Sequence, residues 1–237
     1  MTQSLSHPRT QSLIITIDGP AGVGKSTVAK LLAKRLRLFY LDTGATYRAL
    51  AYQALRRGVD PRRETAVARV AGRMRLQLDW DPARGLRVLL NGRDVTRHIR
   101  TEAVTEAAAV IAQHPDVRAV LVRLQRRLAS GPRVVAEGRD TGTVVFPHAA
   151  YKFFLTARHA VRARRRQMEL QALPGRSPTL ARIAGQLKAR DALDRSRMVG
   201  PLVKPPKAIV VDTSRLPAEQ VVERMLSALS HHRTNSR

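Results

Sequence analysis

Five short apolar runs, at 13–17, 38–41, 133–136, 151–156 and 208–211, punctuate the chain. Between them, apolar residues mostly recur every three to four positions. Short β-branched runs alternating with helical periodicity predict buried parallel strands joined by helices, an α/β chain. Helices are expected at 26–36, from the turn at Asp42-Thr43 to Gly58, at 64–72, 102–113, 116–129, 157–173, 179–197 and 217–229. Asp42 or Thr43 can cap the second. Gly58, His114-Pro115, Gly131-Pro132 and Pro174-Gly175 mark helix ends. One region departs from this texture. Residues 74–80 and 86–90 alternate with period two around the turn Asp81-Pro82-Ala83-Arg84-Gly85, and Asn91-Gly92 is a second turn signal. This predicts a small antiparallel insertion at 62–100, with Trp80 packing inside it. Residues 1–12 are polar, lack the apolar core of a signal peptide and read as a flexible leader. Residues 231–237 read as a flexible tail, leaving one domain over 13–230.

The first run leads into Gly19-Pro20-Ala21-Gly22-Val23-Gly24-Lys25-Ser26-Thr27. Every fixed position of the phosphate-loop pattern is met, with a strand before it and a helix after it. Glycines let the backbone curl with its N–H groups inward, and the helix start adds positive potential. Lys25 is then expected to reach the outer phosphates of a nucleoside triphosphate, and the Ser26 hydroxyl to hold Mg²⁺. In a parallel sheet, ligands lie beyond the carboxyl ends of the strands. That rule brings Asp42, Thr43, Tyr47 and Arg48 beside the phosphate loop. It also brings in Glu137, an acid ending a buried strand and suited to Mg²⁺, followed by Arg139 and Asp140 between glycines. The helices on either side of Pro174-Gly175, at 157–197, carry Arg158, Arg162, Arg164, Arg165 and Arg166 and read as a mobile lid.

Composition narrows the field. With 43 Lys+Arg against 18 Asp+Glu, the 237 residues carry a formal charge of +25. Compositional bias toward arginine, binding of small anionic substrates and binding of nucleic acid all predict such a balance. Aromatic residues make up only 4%, which leaves few platforms for stacking single strands and weighs against nucleic acid. Cysteine is absent, so thiolate metal sites and disulfides are excluded, in keeping with a cytoplasmic location. No apolar run approaches the roughly 20 residues of a membrane helix.

Four stretches together carry a family resemblance: 15–27, Leu41-Asp42-Thr43-Gly44 through Tyr47-Arg48, Gly138-Arg139-Asp140-Thr141-Gly142-Thr143, and Arg190-Asp191 through Asp194-Arg195-Ser196-Arg197. In this order and spacing they resemble the bacterial cytidylate kinases, from about residue 13 to 229. The resemblance implies a nucleoside monophosphate kinase fold. That fold has a five-stranded parallel sheet flanked by helices, the antiparallel insertion in the acceptor region, and a helical lid. It implies transfer of the γ-phosphoryl of ATP to CMP or dCMP, with Mg²⁺, by a cytoplasmic monomer. By the family pattern Thr43, Arg118 and Asp140 contact cytosine, and Arg48 and Arg139 hold the acceptor phosphate. Arg190, Asp194 and Arg197 contact its sugar and phosphate, while Arg162 and Arg165 close on ATP. Tyr47 belongs to the same acceptor-binding stretch. Where the family often has a serine near the base this chain has Ala109, which offers no side-chain hydrogen bond. The rivals are a kinase of another acceptor, such as UMP, AMP or shikimate, and a nucleic-acid-stimulated ATPase. The attacking atom in such a transfer is an anionic phosphate oxygen, so no general base is required; catalysis is expected from alignment and from charge neutralisation by Mg²⁺, Lys25, Arg48, Arg139 and the lid arginines.

Overall fold

The computed structural model describes residues 13–131, 133–171 and 178–234. The leader, Pro132, the Pro174-Gly175 break and the last three residues of the tail lie outside the described residues.

Five strands form the main sheet: β1 (Ile14–Asp18), β2 (Phe39–Asp42), β6 (Val134–Gly138), β7 (Tyr151–Thr156) and β8 (Ile209–Asp212). Their order is β2-β6-β1-β7-β8, and every pairing is parallel. The central position of β1 explains its unbroken apolar run, because Ile15 and Ile17 meet protein on all sides. Register then fixes the site. Asp18 pairs with Gly138 and Phe154, and Asp42 pairs with Glu137. The polar ends of β1, β2 and β6 therefore emerge on one rim.

Helices α1 (Lys25–Leu36) and α2 (Thr43–Arg56) follow β1 and β2 directly. Of the two candidate caps of α2 it is Asp42 that acts, accepting from the Ala45 N–H at 2.8 Å. Next comes α3 (Glu64–Arg73), then a second sheet of β3 (Leu76–Asp81), β4 (Gly85–Leu90) and β5 (Arg93–Asp94) in antiparallel order. The predicted Asn91-Gly92 turn joins β4 to β5, both residues having positive φ. The sequence pattern did not anticipate β5, which has two residues, both exposed. Leu76, Leu78, Leu86, Val88 and Leu90 of this sheet belong to the main core rather than to a separate one. Trp80 does not simply pack within the insertion: its ring stands edge-on to Tyr40 of β2, centroids 5.1 Å apart.

Helices α4 (Glu102–Ile111) and α5 (Pro115–Leu128) lead back to β6. A π-helical turn at Thr141–Val145 follows β6. Helices α6 (His159–Gln171) and α7 (Leu180–Arg195) come between β7 and β8 and share a small core of Ala163, Ile183 and Leu187. The last described element is α8 (Ala218–Thr234), which continues past His231, where apolar spacing is lost. Among the described residues no helix is long and apolar enough to cross a membrane.

Candidate active site

The phosphate loop spans Gly19 to Gly24, between β1 and α1. Gly24 takes φ 89° as it opens α1, a left-handed conformation that favours glycine. Lys25 is buried, and its Nζ donates to the Pro20 carbonyl at 2.7 Å. Burial, seconded by the nearby Arg139 guanidinium, pushes the Lys25 ammonium down to about 7. The carboxylates of Glu137, Asp194 and Asp18 pull the other way. Ser26 and Thr27 are exposed. The Ser26 hydroxyl donates to Glu137 Oε1 at 2.5 Å, and the Tyr40 hydroxyl donates to the same oxygen at 2.8 Å.

Asp18 and Tyr40 carried no assigned role in the sequence reading. Asp18 is fully buried and accepts three hydrogen bonds: Thr141 N–H at 2.8 Å, Thr141 hydroxyl at 2.7 Å and Gly142 N–H at 2.7 Å. Burial raises its carboxyl above the usual range despite these donors. It ties the turn after Asp140 to the start of the phosphate loop. The one signal available was an acid ending a buried strand just before Gly19.

At the end of β2, Thr43 is buried and its hydroxyl donates to the Glu137 carbonyl at 2.7 Å. Arg48 reaches back to Asp42, Nη2 to Oδ2 at 2.7 Å. Arg118 of α5 is 1% exposed and ion-paired with Asp140. Its guanidinium also lies 5.7 Å from the centre of the Tyr47 ring. Burial pushes the Tyr47 phenol up to about 12. It also raises Asp140, outweighing Arg118 and Arg197.

Asp194 of α7 is the second hub. It is completely buried and receives Arg139 Nε at 2.7 Å, Arg190 Nε at 3.2 Å and Arg197 Nη2. Burial alone would raise this carboxyl. Arg139, Arg190 and Arg197 together outweigh burial and hold it below its usual range. Two buried donors here, Arg118 Nε and Arg197 Nε, have no partner.

Of the two arginines expected on ATP, Arg162 touches the phosphate loop, donating to the Ala21 carbonyl at 3.2 Å. It is also paired with Asp191 at 2.6 Å, a partner the sequence motif contains but gave no role. Arg165 points elsewhere: both its Nη atoms donate to Thr213 beyond β8, at 3.0 Å and 2.6 Å. Thr213 in turn donates to the Val23 carbonyl at 3.0 Å, so Arg165 braces the loop indirectly.

A phosphate loop facing a second cluster of buried and half-buried arginines across one rim of a parallel sheet is the arrangement of a phosphate-loop kinase. Comparison with known proteins narrows this further. The family model for cytidylate kinase matches residues 15–231. The cytidylate kinase of Pelotomaculum thermopropionicum is 47% identical over 216 residues, 91% of this chain and 95% of that one. That of Mycobacterium avium is 44% identical over 214 residues, 90% and 93% of the two chains. A bifunctional pantoate ligase/cytidylate kinase of Synechococcus elongatus is 46% identical over 90% of this chain but only 41% of its own length. The chain belongs to the cytidylate kinase family and is a phosphotransferase. Among solved structures, an uncharacterised protein of Eubacterium ventriosum superposes with a TM-score of 0.50 at 10% identity, covering 92% of this chain and 98% of that one. That likeness concerns the fold alone.

Proposed function

We propose that the protein transfers the γ-phosphoryl group of ATP to CMP or dCMP. The observation that carries this reading is the buried acceptor cluster itself. Arg118, Arg139, Arg190 and Arg197 gather around Asp140 and Asp194, opposite Lys25, and two of their buried N–H groups lack acceptors. An unsatisfied buried donor costs about 1–3 kcal/mol. An anionic ligand bearing acceptors offsets that cost, and a nucleoside monophosphate has both phosphate and base oxygens.

In this reading the triphosphate sits on the Gly19–Gly24 backbone with Lys25 and Arg162 on its outer oxygens, and Arg165 steadies the loop through Thr213. Arg48 and Arg139 hold the acceptor phosphate, and Arg190 and Arg197, organised by Asp194, hold the acceptor's sugar and phosphate. Thr43, Arg118, Asp140 and the neighbouring Tyr47 surround the base. Cytosine presents N4–H₂ as donor and O2 and N3 as acceptors, matching Asp140 and Arg118. Uracil has a carbonyl oxygen in place of that donor and would set it against the Asp140 carboxylate. An acceptor phosphate oxygen attacks the γ-phosphorus, the bond to the β–γ bridging oxygen breaks, and ADP departs. Burial of the cluster excludes water, which would otherwise compete as acceptor.

Ser26 Oγ and Glu137 Oε1 are hard oxygen donors side by side, which suits Mg²⁺. Among the described residues there is no group of three or more His, Cys, Asp or Glu able to hold a metal, so Mg²⁺ here would take its remaining ligands from phosphate and water. When bound, Mg²⁺ supplies further neutralisation of phosphate charge.

Diphosphate formation from CMP, dCMP, UMP and AMP with ATP, compared in one coupled assay, tests the proposal. Preference for the two cytidine acceptors is expected. Equal turnover of UMP, or ATP hydrolysis that RNA stimulates without any acceptor, overturns it.

A further inference from the structure

The strap leaving α7, residues 196–202, returns across the Arg118–Asp140 pair. Its two sides are fixed to one residue. Arg197 pairs with the Asp194 carboxylate, and the Leu202 N–H donates to the Asp194 carbonyl at 2.7 Å. Between these anchors Gly200 adopts φ 64°. A Cβ placed there would overlap both Arg118 Nη2 and Asp140 Oδ2, and would lie 2.9 Å from Arg118 Cζ. The side chains before it turn outward: Met198 is 88% and Val199 38% exposed. The strap therefore meets the pair with bare backbone.

We propose that Gly200 is a specificity-determining residue, its missing side chain letting the strap press the Arg118 and Asp140 head groups into one layer against the base. This rests on the reading of those two residues as the base-reading pair. A methyl group at 200 must lift the strap or displace a head group, and both are ion-paired and buried. Displacement of about 1 Å at such a site costs on the order of 100-fold in rate.

Gly58 supplies the control. It has φ 66°, close to the 64° of Gly200, but a Cβ there meets nothing within 4 Å. Gly58→Ala thus places a side chain at a similar positive φ without the contact. Gly200→Ala is expected to lower kcat/KM for CMP by about 10- to 100-fold. It should also shrink the CMP-to-UMP ratio and leave ATP binding within about twofold of wild type. Gly58→Ala should leave all three unchanged.

A wild-type enzyme without preference for CMP overturns the functional reading and this inference together. A wild-type enzyme that prefers CMP, with Gly200→Ala matching Gly58→Ala, overturns the inference alone. Hydrogen exchange on the wild-type protein removes any dependence on the variant's folding. Amides at 198–202 are expected to slow with CMP and not with ATP alone. No response to CMP, or an equal response to ATP alone, overturns the role assigned to the strap.

Discussion

Lys25 shows how one residue's environment makes binding depend on pH. Its ammonium titrates near 7 in the free protein, against 10.5 for an ordinary lysine. The unfolded chain therefore holds more protons between those values, and this group makes stability rise with pH across that window. Phosphate oxygens placed beside it restore the charged form. ATP binding at pH 8 is thus expected to take up close to one proton, and binding at pH 6 almost none from this group. Calorimetry in buffers of different ionisation enthalpy reads this directly; zero uptake at pH 8 contradicts the assignment. Lys25→Ala should abolish uptake and nearly all transfer while leaving a folded protein. In the proposed reading Asp140 faces the other substrate. Asp140→Ala leaves Arg118 buried without its carboxylate and removes the acceptor for cytosine N4. It should weaken CMP use by two orders of magnitude or so, roughly 3 kcal/mol, with ATP affinity retained. Parallel loss of both affinities would falsify a base-reading role.

At the scale of elements, α7 is fastened through Asp194 more than through apolar packing. That carboxylate is completely buried against Arg139, Arg190 and Arg197. Removing its charge leaves three guanidinium groups facing one another, so Asp194→Asn should cost about 3 kcal/mol at pH 7. The folded pKa is depressed, so the stabilisation is full above the unfolded value of 3.8 and lost as pH falls through the lower folded value. Urea unfolding should show the same wild-type advantage at pH 7 and pH 5, vanishing only in stronger acid. An advantage already shrinking by pH 5 contradicts this account. Other elements show where sequence reading stops. β1, β2 and β6 were legible because burial in a parallel sheet forces apolar runs, and Asn91-Gly92 because its turn needs positive φ. β5 was not, since two exposed residues leave no pattern. The π-helical turn at Thr141–Val145 was not either, because Asp18, 123 residues earlier, organises its first N–H groups. Local chemistry carries no trace of so distant a partner.

Across the whole molecule, the motif positions supplied the candidate residues, while the sheet order revealed who faces whom. β1 between β6 and β7 sets Lys25 close enough to Glu137, Asp194 and Asp18 for all three to act on its charge. No spacing along the chain contains that information, nor the turn of Arg165 toward Thr213. The latter bears on the proposal that the helix pair α6–α7 is a lid. Its apolar core is small, Ala163, Ile183 and Leu187, and distinct from the main one. Arg162 at Ala21 and Arg165 at Thr213 are among the polar contacts that fasten α6 to the phosphate loop and to the end of β8. A pair of helices held by a few polar contacts opens at lower cost than the sheet unfolds, the property a lid requires. Arg165→Ala removes two of those hydrogen bonds, at a net cost of about 1 kcal/mol each. Exchange of α6 and α7 amides should then quicken by about tenfold or more, while β1 and β6 amides keep their wild-type protection. The KM for ATP should rise and that for CMP should change little, because Arg139, Arg190 and Arg197 stay on Asp194. Equal quickening in the sheet would mean that Arg165 supports the fold as a whole, and unchanged exchange in α6 and α7 would mean that the hinge lies elsewhere.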